Sequence, residues 1–266
     1  MTRPLLRIAI FATFAMLALP GAASAATQTI GSALALPYQG GVCNNNCLSV
    51  QQSRIVDVHP LLSPVNGVIT DWKVRTGDPD ALYTLRILTP AAGNSYISTT
   101  SQRAPAPVPA GTVDTIITYT ASPNLPIKQG QAIGLLQTNG GGAGADVGLP
   151  QNTTGGVAAN VIANNFNGVF LDGLGAAFIS DAQHELLLQA TVKFCRVPNL
   201  VGQTQAAAAL ALSAAECVAK VSKKKTKKKK NKGKVLSQKT APDTTVAPGT
   251  EVEIVVGKKA KRKRKK

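Results

Sequence analysis

The sequence predicts a mainly β protein: an antiparallel, jelly-roll-like β-sandwich followed by a small α+β module of one helix and three strands. Three observations carry this. From residue 26 to 194, period-two hydrophobic segments alternate with turn-rich stretches and almost no helical periodicity. An alanine-rich helical segment occurs only later, beginning at Gln205. Charge also divides the chain. Residues 26–195 hold seven Lys or Arg against nine Asp or Glu, a net of −2, whereas 196–266 hold twenty against four, a net of +16. A break that sharp marks a domain boundary at Arg196.

The first segment reads as an export signal. Arg3 and Arg7 flank a short positive region, and the apolar run Ile8 to Leu19 follows. Ala23-Ser24-Ala25 then supplies the small-x-small pattern of a signal-peptidase site, so residues 1–25 are expected to be removed and the mature chain to start at Ala26. The apolar run is shorter than the roughly 20 residues a membrane-spanning helix needs. No transmembrane segment is expected after cleavage. The first cysteine is Cys43, which does not follow the signal, so a lipid anchor is not expected either. Leu149-Pro150-Gln151-Asn152-Thr153 faintly resembles a sortase motif, but no apolar tail follows it and it reads as a loop.

Within residues 26–194 the strands can be placed one by one. In Val68 to Arg75, Val68, Trp72 and Val74 are expected on one face, with Asp71, Lys73 and Arg75 on the other. Leu186, Leu188, Ala190, Val192 and Phe194 alternate with Glu185, Leu187, Gln189, Thr191 and Lys193. Similar segments run from Ala81 to Leu88, Val113 to Thr120 and Gln131 to Gln137. Turn-rich stretches separate them: Thr76 to Asp80, Pro90 to Asn94 and Gln102 to Gly111. Asn139 to Phe170 reads as a long loop or pair of loops with a weak strand inside. About 170 residues suffice for one sandwich with its own core.

No catalytic constellation accompanies this fold. His59 and His184 have Asp57 and Asp181 near them in sequence, yet there is no Gly-x-Ser-x-Gly elbow, His-Glu-x-x-His helix or phosphate-binding loop. Gly140 to Gly144 lacks the Lys-Ser/Thr that would make it a phosphate cradle. No enzymatic activity, cofactor or metal is therefore expected. The four cysteines suit disulfides in an oxidising compartment better than zinc, because neither histidine is close to Cys43 and Cys47 in sequence. Three pairings are possible on paper. The local ones, Cys43 with Cys47 and Cys195 with Cys217, are expected.

Residues 195–257 carry the most specific pattern. Val197-Pro198 begins an extended segment, Gly202 permits a tight turn, and Thr204 is an N-cap for the helix starting Gln205-Ala206-Ala207. Leu210 is expected to pack on the sheet, with Ala206 and Ala207 on the same face. Val218 and Val221 open a first strand, Val235 and Ser237 lie in a second, and Val252, Ile254 and Val256 alternate in a third after the Pro248-Gly249 turn. The order and spacing of these pieces resemble the PASTA domain, a module of bacterial penicillin-binding proteins and serine/threonine kinases. The resemblance implies one helix and three strands, a cell-envelope location and binding of peptidoglycan fragments or the β-lactams that mimic them. In one respect the chain departs from the pattern. A lysine run, Lys223-Lys224-Lys225-Thr226-Lys227-Lys228-Lys229-Lys230, occupies the expected loop between the first two strands, and a basic tail follows from residue 258 to 266.

These features define three function classes. The first is a non-catalytic secreted or wall-associated protein, in which the module and its lysines bind peptidoglycan or anionic wall polymers and tether the sandwich. The lysines in question are Lys223, Lys224, Lys225, Lys227, Lys228, Lys229 and Lys230, with Lys263, Lys265 and Lys266 in the tail. The second is a lectin-like sandwich using Trp72, Tyr83, Tyr96 and Tyr119 as an aromatic platform, although these alternate with apolar neighbours as core residues do. The third is a wall hydrolase, disfavoured by the missing constellation. Nucleic acid is disfavoured as a partner because the chain reads as exported and no Phe, Tyr or Trp occurs from Cys195 to Lys266.

Overall fold

The computed structural model describes residues 26–39, 42–43, 46–52, 59–77, 79–93, 95–139, 147–148, 151–152, 160–166, 172–177, 179–182 and 184–259. The expected signal segment and Lys263, Lys265 and Lys266 lie outside the described residues. In chain order come β1 (Ala26–Gly31), β2 (Val42–Cys43), β3 (Asn46–Gln51), β4 (Gly67–Arg75), β5 (Ala81–Ala91) and β6 (Ser95–Arg103). They are followed by β7 (Ile116–Ile127), β8 (Ala132–Asn139), β9 (Val147–Gly148), β10 (Gln151–Asn152), β11 (Asn160–Phe166) and β12 (Gly175–Ala177). β13 (Ile179–Ala182), β14 (Glu185–Leu186) and β15 (Leu188–Arg196) complete the first part.

Two antiparallel sheets face each other. One has the order β1-β15-β4-β7, the other β12-β6-β5-β8-β3-β11-β13. A single core fills the space between them: Ile30, Trp72, Val74, Ala190 and Val192 from the first sheet meet Tyr83, Leu85, Ile87, Ile133 and Leu135 from the second. Trp72 stacks on Tyr119 of the neighbouring strand with ring centroids 4.2 Å apart, and its indole N–H donates to Gln102 Oε1 at 3.3 Å. The alternation expected along β15 is present, with Leu188, Ala190, Val192 and Phe194 buried.

Four strands depart from their sequence reading. Val68 was expected on the face of Trp72, but Ile69 is the buried residue there. A register shift between Ile69 and Asp71 against β7 switches faces within β4, as a bulge does. β5 does not alternate, because residues 81–88 are buried on both faces. On its far face Leu88 clusters with Leu48, Val50 and Leu136 of neighbouring strands in the same sheet, and Arg86 is paired with Asp172 at 2.9 Å. β7 begins three residues later than expected, at Ile116, and continues through a cis Ser122–Pro123 bond to Ile127. Between Asn139 and Phe170 the expected strand is present as β11, seven residues bridging β3 and β13, whereas Gln151 and Asn152 of β10, expected in a loop, pair with β14.

The chain then forms α1 (Gln205–Ala214), β16 (Val218–Thr226), a 3-10 turn (Lys229–Asn231), β17 (Val235–Gln238), β18 (Thr245–Val246) and β19 (Glu251–Lys259). These make a three-stranded sheet, β16-β19-β17, in which β16 runs parallel to β19 and β17 antiparallel. One helix and three strands is the predicted plan. Thr204 caps α1 through its side chain, accepting from Ala207 N at 3.2 Å. The phase of the helix differs from the sequence reading. Ala208, Leu212 and Ala215 face Val252, Ile254 and Val256, while Leu210 points to solvent at 72% exposure.

The far end of α1 closes with Glu216 in the left-handed region at φ 60°. Its N–H donates to Ser213 O, and the next N–H, of Cys217, donates to Leu212 O at 2.8 Å. This is a Schellman-type stop, with a glutamate where glycine is usual.

The phase of α1 gives a direct test. Leu212→Ala should destabilise the module by about 2–5 kcal/mol, whereas Leu210→Ala should stay within about 0.5 kcal/mol. Urea unfolding followed by far-UV circular dichroism distinguishes the two; equal effects would mean the helix is rotated.

Candidate functional site

His59 and His184 are half-buried and belong to separate segments, before β4 and before β14. The backbone carbonyl of His184 accepts from Gln51 Nε2 at 3.2 Å, and Gln51 Oε1 accepts from Leu186 N, so this region clamps β14 to β3. Asp57 lies outside the described residues, as does the side chain of Asp181. Among the described residues no group of three His, Cys, Asp or Glu side chains converges as a metal site. Trp72 and Tyr83 are fully buried, Tyr96 is nearly so, and Tyr119 is half-buried against Trp72. None of the four forms an exposed sugar-stacking platform. Burial pushes the phenols of Tyr96 and Tyr119 above the usual tyrosine range.

One buried carboxyl stands out. Glu185 accepts a 2.5 Å hydrogen bond from Ser32 Oγ at Oε1, while Oε2 has no partner among the described residues. Desolvation raises its pKa, and the Ser32 hydroxyl offsets this only in part.

A disulfide closes the module, and an ion pair joins it to the sandwich. Cys195 and Cys217 form a disulfide with Cα atoms 5.7 Å apart, closing the 22-residue separation that contains α1. Cys47 is also disulfide-bonded, as the expected pairing with Cys43 requires, although the side chain of Cys43 lies outside the described residues. β15 does not stop at the sandwich. Its last residues, Cys195 and Arg196, pair with Val246 and Thr245 of β18, so the junction expected between 194 and 195 falls inside one strand. Lys193 of β15 reaches Glu216 at 2.7 Å.

The lysine run does not form the expected loop. Lys223, Lys224 and Lys225 lie in β16, opposite Val256, Gly257 and Lys258 of β19. Lys227 and Lys228 make the turn that follows, and Lys229 and Lys230 begin the 3-10 turn. All seven are exposed. The register that places them also brings Thr226 opposite Lys259, and here a cavity of about 440 Å³ opens, lined by Thr226, Lys227, Lys228, Lys229, Lys232 and Lys259. Sequence reasoning singled out Lys227, Lys228 and Lys229 but missed Lys232 and Lys259. Lys259 was read as tail, whereas β19 extends through it.

Residues 196–258 match the PASTA domain family. The C-terminal module is a PASTA domain. PASTA domains occur in cell-envelope proteins and bind peptidoglycan-related ligands, and the Cys195–Cys217 disulfide is consistent with an extracellular location for this one. No match was found among curated proteins or among solved structures. Among the described residues no helix is long and apolar enough to cross a membrane.

Glu185 supplies a pH test. Its folded pKa is raised, so the folded state holds the proton more tightly than the unfolded state, and stability falls as pH rises from the ordinary glutamate value through the folded one. Glu185→Gln should match the parent protein at low pH and become the more stable of the two above that window. Urea midpoints measured across the pH range check this; parallel curves would contradict it.

Proposed function

We propose that this chain is a non-catalytic exported protein of the cell envelope, whose PASTA domain and lysines bind peptidoglycan or anionic wall polymers and hold the β-sandwich there. One observation carries the reading: positive charge is concentrated on the PASTA domain and left unneutralised. Glu216, Glu251 and Glu253 pair with Lys193, Lys220 and Lys239. Among the described residues no ion pair reaches Lys223, Lys224, Lys225, Lys227, Lys228, Lys229 or Lys230. A cationic face of this kind attracts polyanions and is weakened by salt.

The absence of aromatic side chains from Cys195 to Lys266 supports wall polymers over nucleic acid, because bases would find nothing to stack on. The tail lysines Lys263, Lys265 and Lys266 would add to the same attraction. The sandwich is the tethered cargo in this reading, and it carries no catalytic role.

Sedimentation with purified peptidoglycan sacculi tests the proposal. The full chain should co-sediment at about 0.15 M salt and be released progressively as screening increases. Serine in place of Lys223–Lys225 and Lys227–Lys230 should reduce the bound fraction about tenfold, since each exposed pairing with a polyanion is worth little alone and the set acts together. Failure of the unaltered chain to sediment at any salt concentration would refute wall binding.

A further inference from the structure

We propose that the lysine-lined cavity at the end of the PASTA sheet is a site for a phosphate-rich anion, a phosphodiester or polyphosphate chain without bases. The inference rests on the wall-binding reading and gives it a ligand class.

The cavity gathers Lys227, Lys228, Lys229, Lys232 and Lys259 from the turn after β16, the 3-10 turn and the end of β19. Among the described residues no carboxylate lines it and none of these five lysines is in an ion pair. The glutamates that do pair use lysines elsewhere. Like charges brought this close repel one another, and an anion seated between them removes the repulsion. A volume of about 440 Å³ lies within the usual range of small-ligand sites.

The walls are built rather than fluid. Thr226 Oγ1 accepts from Lys228 N, Asn231 N donates to Lys228 O, and Lys232 N donates to Lys229 O. Gly257 then clamps the turn to β19: its N–H donates to Lys234 O at 3.0 Å and its carbonyl accepts from Gly233 N at 2.8 Å. A Cβ at residue 257 would lie 2.2 Å from Asn231 O, so only glycine lets the turn sit this close to the strand. The lysine stems thus leave from a fixed backbone.

Among the described residues only lysines bring charge to the lining, so the ligand is selected by its charge density and not by the planar fork through which arginine holds carboxylate or phosphate. Lysine is a compact point charge suited to phosphate oxygens. Phosphodiester and polyphosphate chains present charges at short, regular intervals, which five neighbouring ammonium groups can meet together. The module has no aromatic residue on which a base could stack.

Isothermal titration of the full chain against tripolyphosphate and against citrate, at matched ionic strength, reads the preference. Tripolyphosphate should bind at least about tenfold more tightly. Lys232→Ser with Lys259→Ser should weaken it by about tenfold or more, while Lys223→Ser with Lys224→Ser, an equal loss of charge outside the cavity, should change it less than about threefold. In the unaltered chain, amide shifts on titration should centre on residues 226–232 and 257, which locates the site without any variant. Long-chain polyphosphate and a glycerol-phosphate polymer distinguish the two sources of the ligand.

Equal binding of citrate, equal weakening by both double variants, or binding of single-stranded DNA as tight as that of the phosphate polymers would overturn the proposal. Sacculus retention without tripolyphosphate binding would remove the cavity but leave wall binding standing. Tripolyphosphate binding without sacculus retention would do the reverse.

Discussion

β15 is the constraint on which the rest of the structure depends. From Gln189 to Lys193 it is paired on both sides, with β1 and β4, and its alternate side chains form one wall of the sandwich core. Two residues later the same backbone pairs with β18, and Cys195 and Val197 enter the core of the PASTA domain. Two separate hydrophobic cores therefore share one strand. A flexible linker would let them reorient freely. Here, turning one against the other would break the Lys193–Glu216 ion pair and bend β15 between Phe194, in the sandwich core, and Cys195, in the PASTA core.

That coupling bears on how the small domain holds together. A module of about 63 residues buries little surface and usually needs reinforcement. Its core holds no aromatic residue: Leu200, Leu212, Val235, Val252, Ile254 and Val256 fill it with alanines and the disulfide. Closing a loop of roughly 20 residues contributes about 3 kcal/mol in the chain-entropy account. The β18 pairing ties Val246 to Cys195 at the end of β15. Glu216 shows the two functions meeting in one residue. It occupies a left-handed position that glycine would fill with less strain, and in return its side chain reaches Lys193. The exposed lysines on β16 act in a further way, since a charged edge strand resists pairing with a second chain.

Much of this was legible in the sequence, for identifiable reasons. The alternation along β15, the Thr204 cap, the strand Val252-Ile254-Val256 and the Cys195–Cys217 pairing follow from local patterns, and local patterns survive folding. The misreadings share a non-local cause. Val68 changed face because a bulge interrupts the period of two. Leu210 was expected on the sheet and Leu212 packs there instead, because alanine on every side leaves helical phase undetermined until the sheet selects the buried face. The strand character of Lys223–Lys225 arises from parallel pairing with a strand about thirty residues later, a partnership no short window of sequence contains. For the same reason the cavity was only half visible. Its lysines on the run could be read, but Lys259 joins them through register alone.

Native-state hydrogen exchange along β15 shows most directly whether sandwich and PASTA domain form one piece. If the strand is continuous in solution, the amides from Lys193 to Val197 should be protected to about the same degree as those of Ala190 and Val192, because all open in one cooperative unit. Protected amides on either side of a freely exchanging seam would show two domains joined by a hinge, and the shared strand would no longer explain the structure.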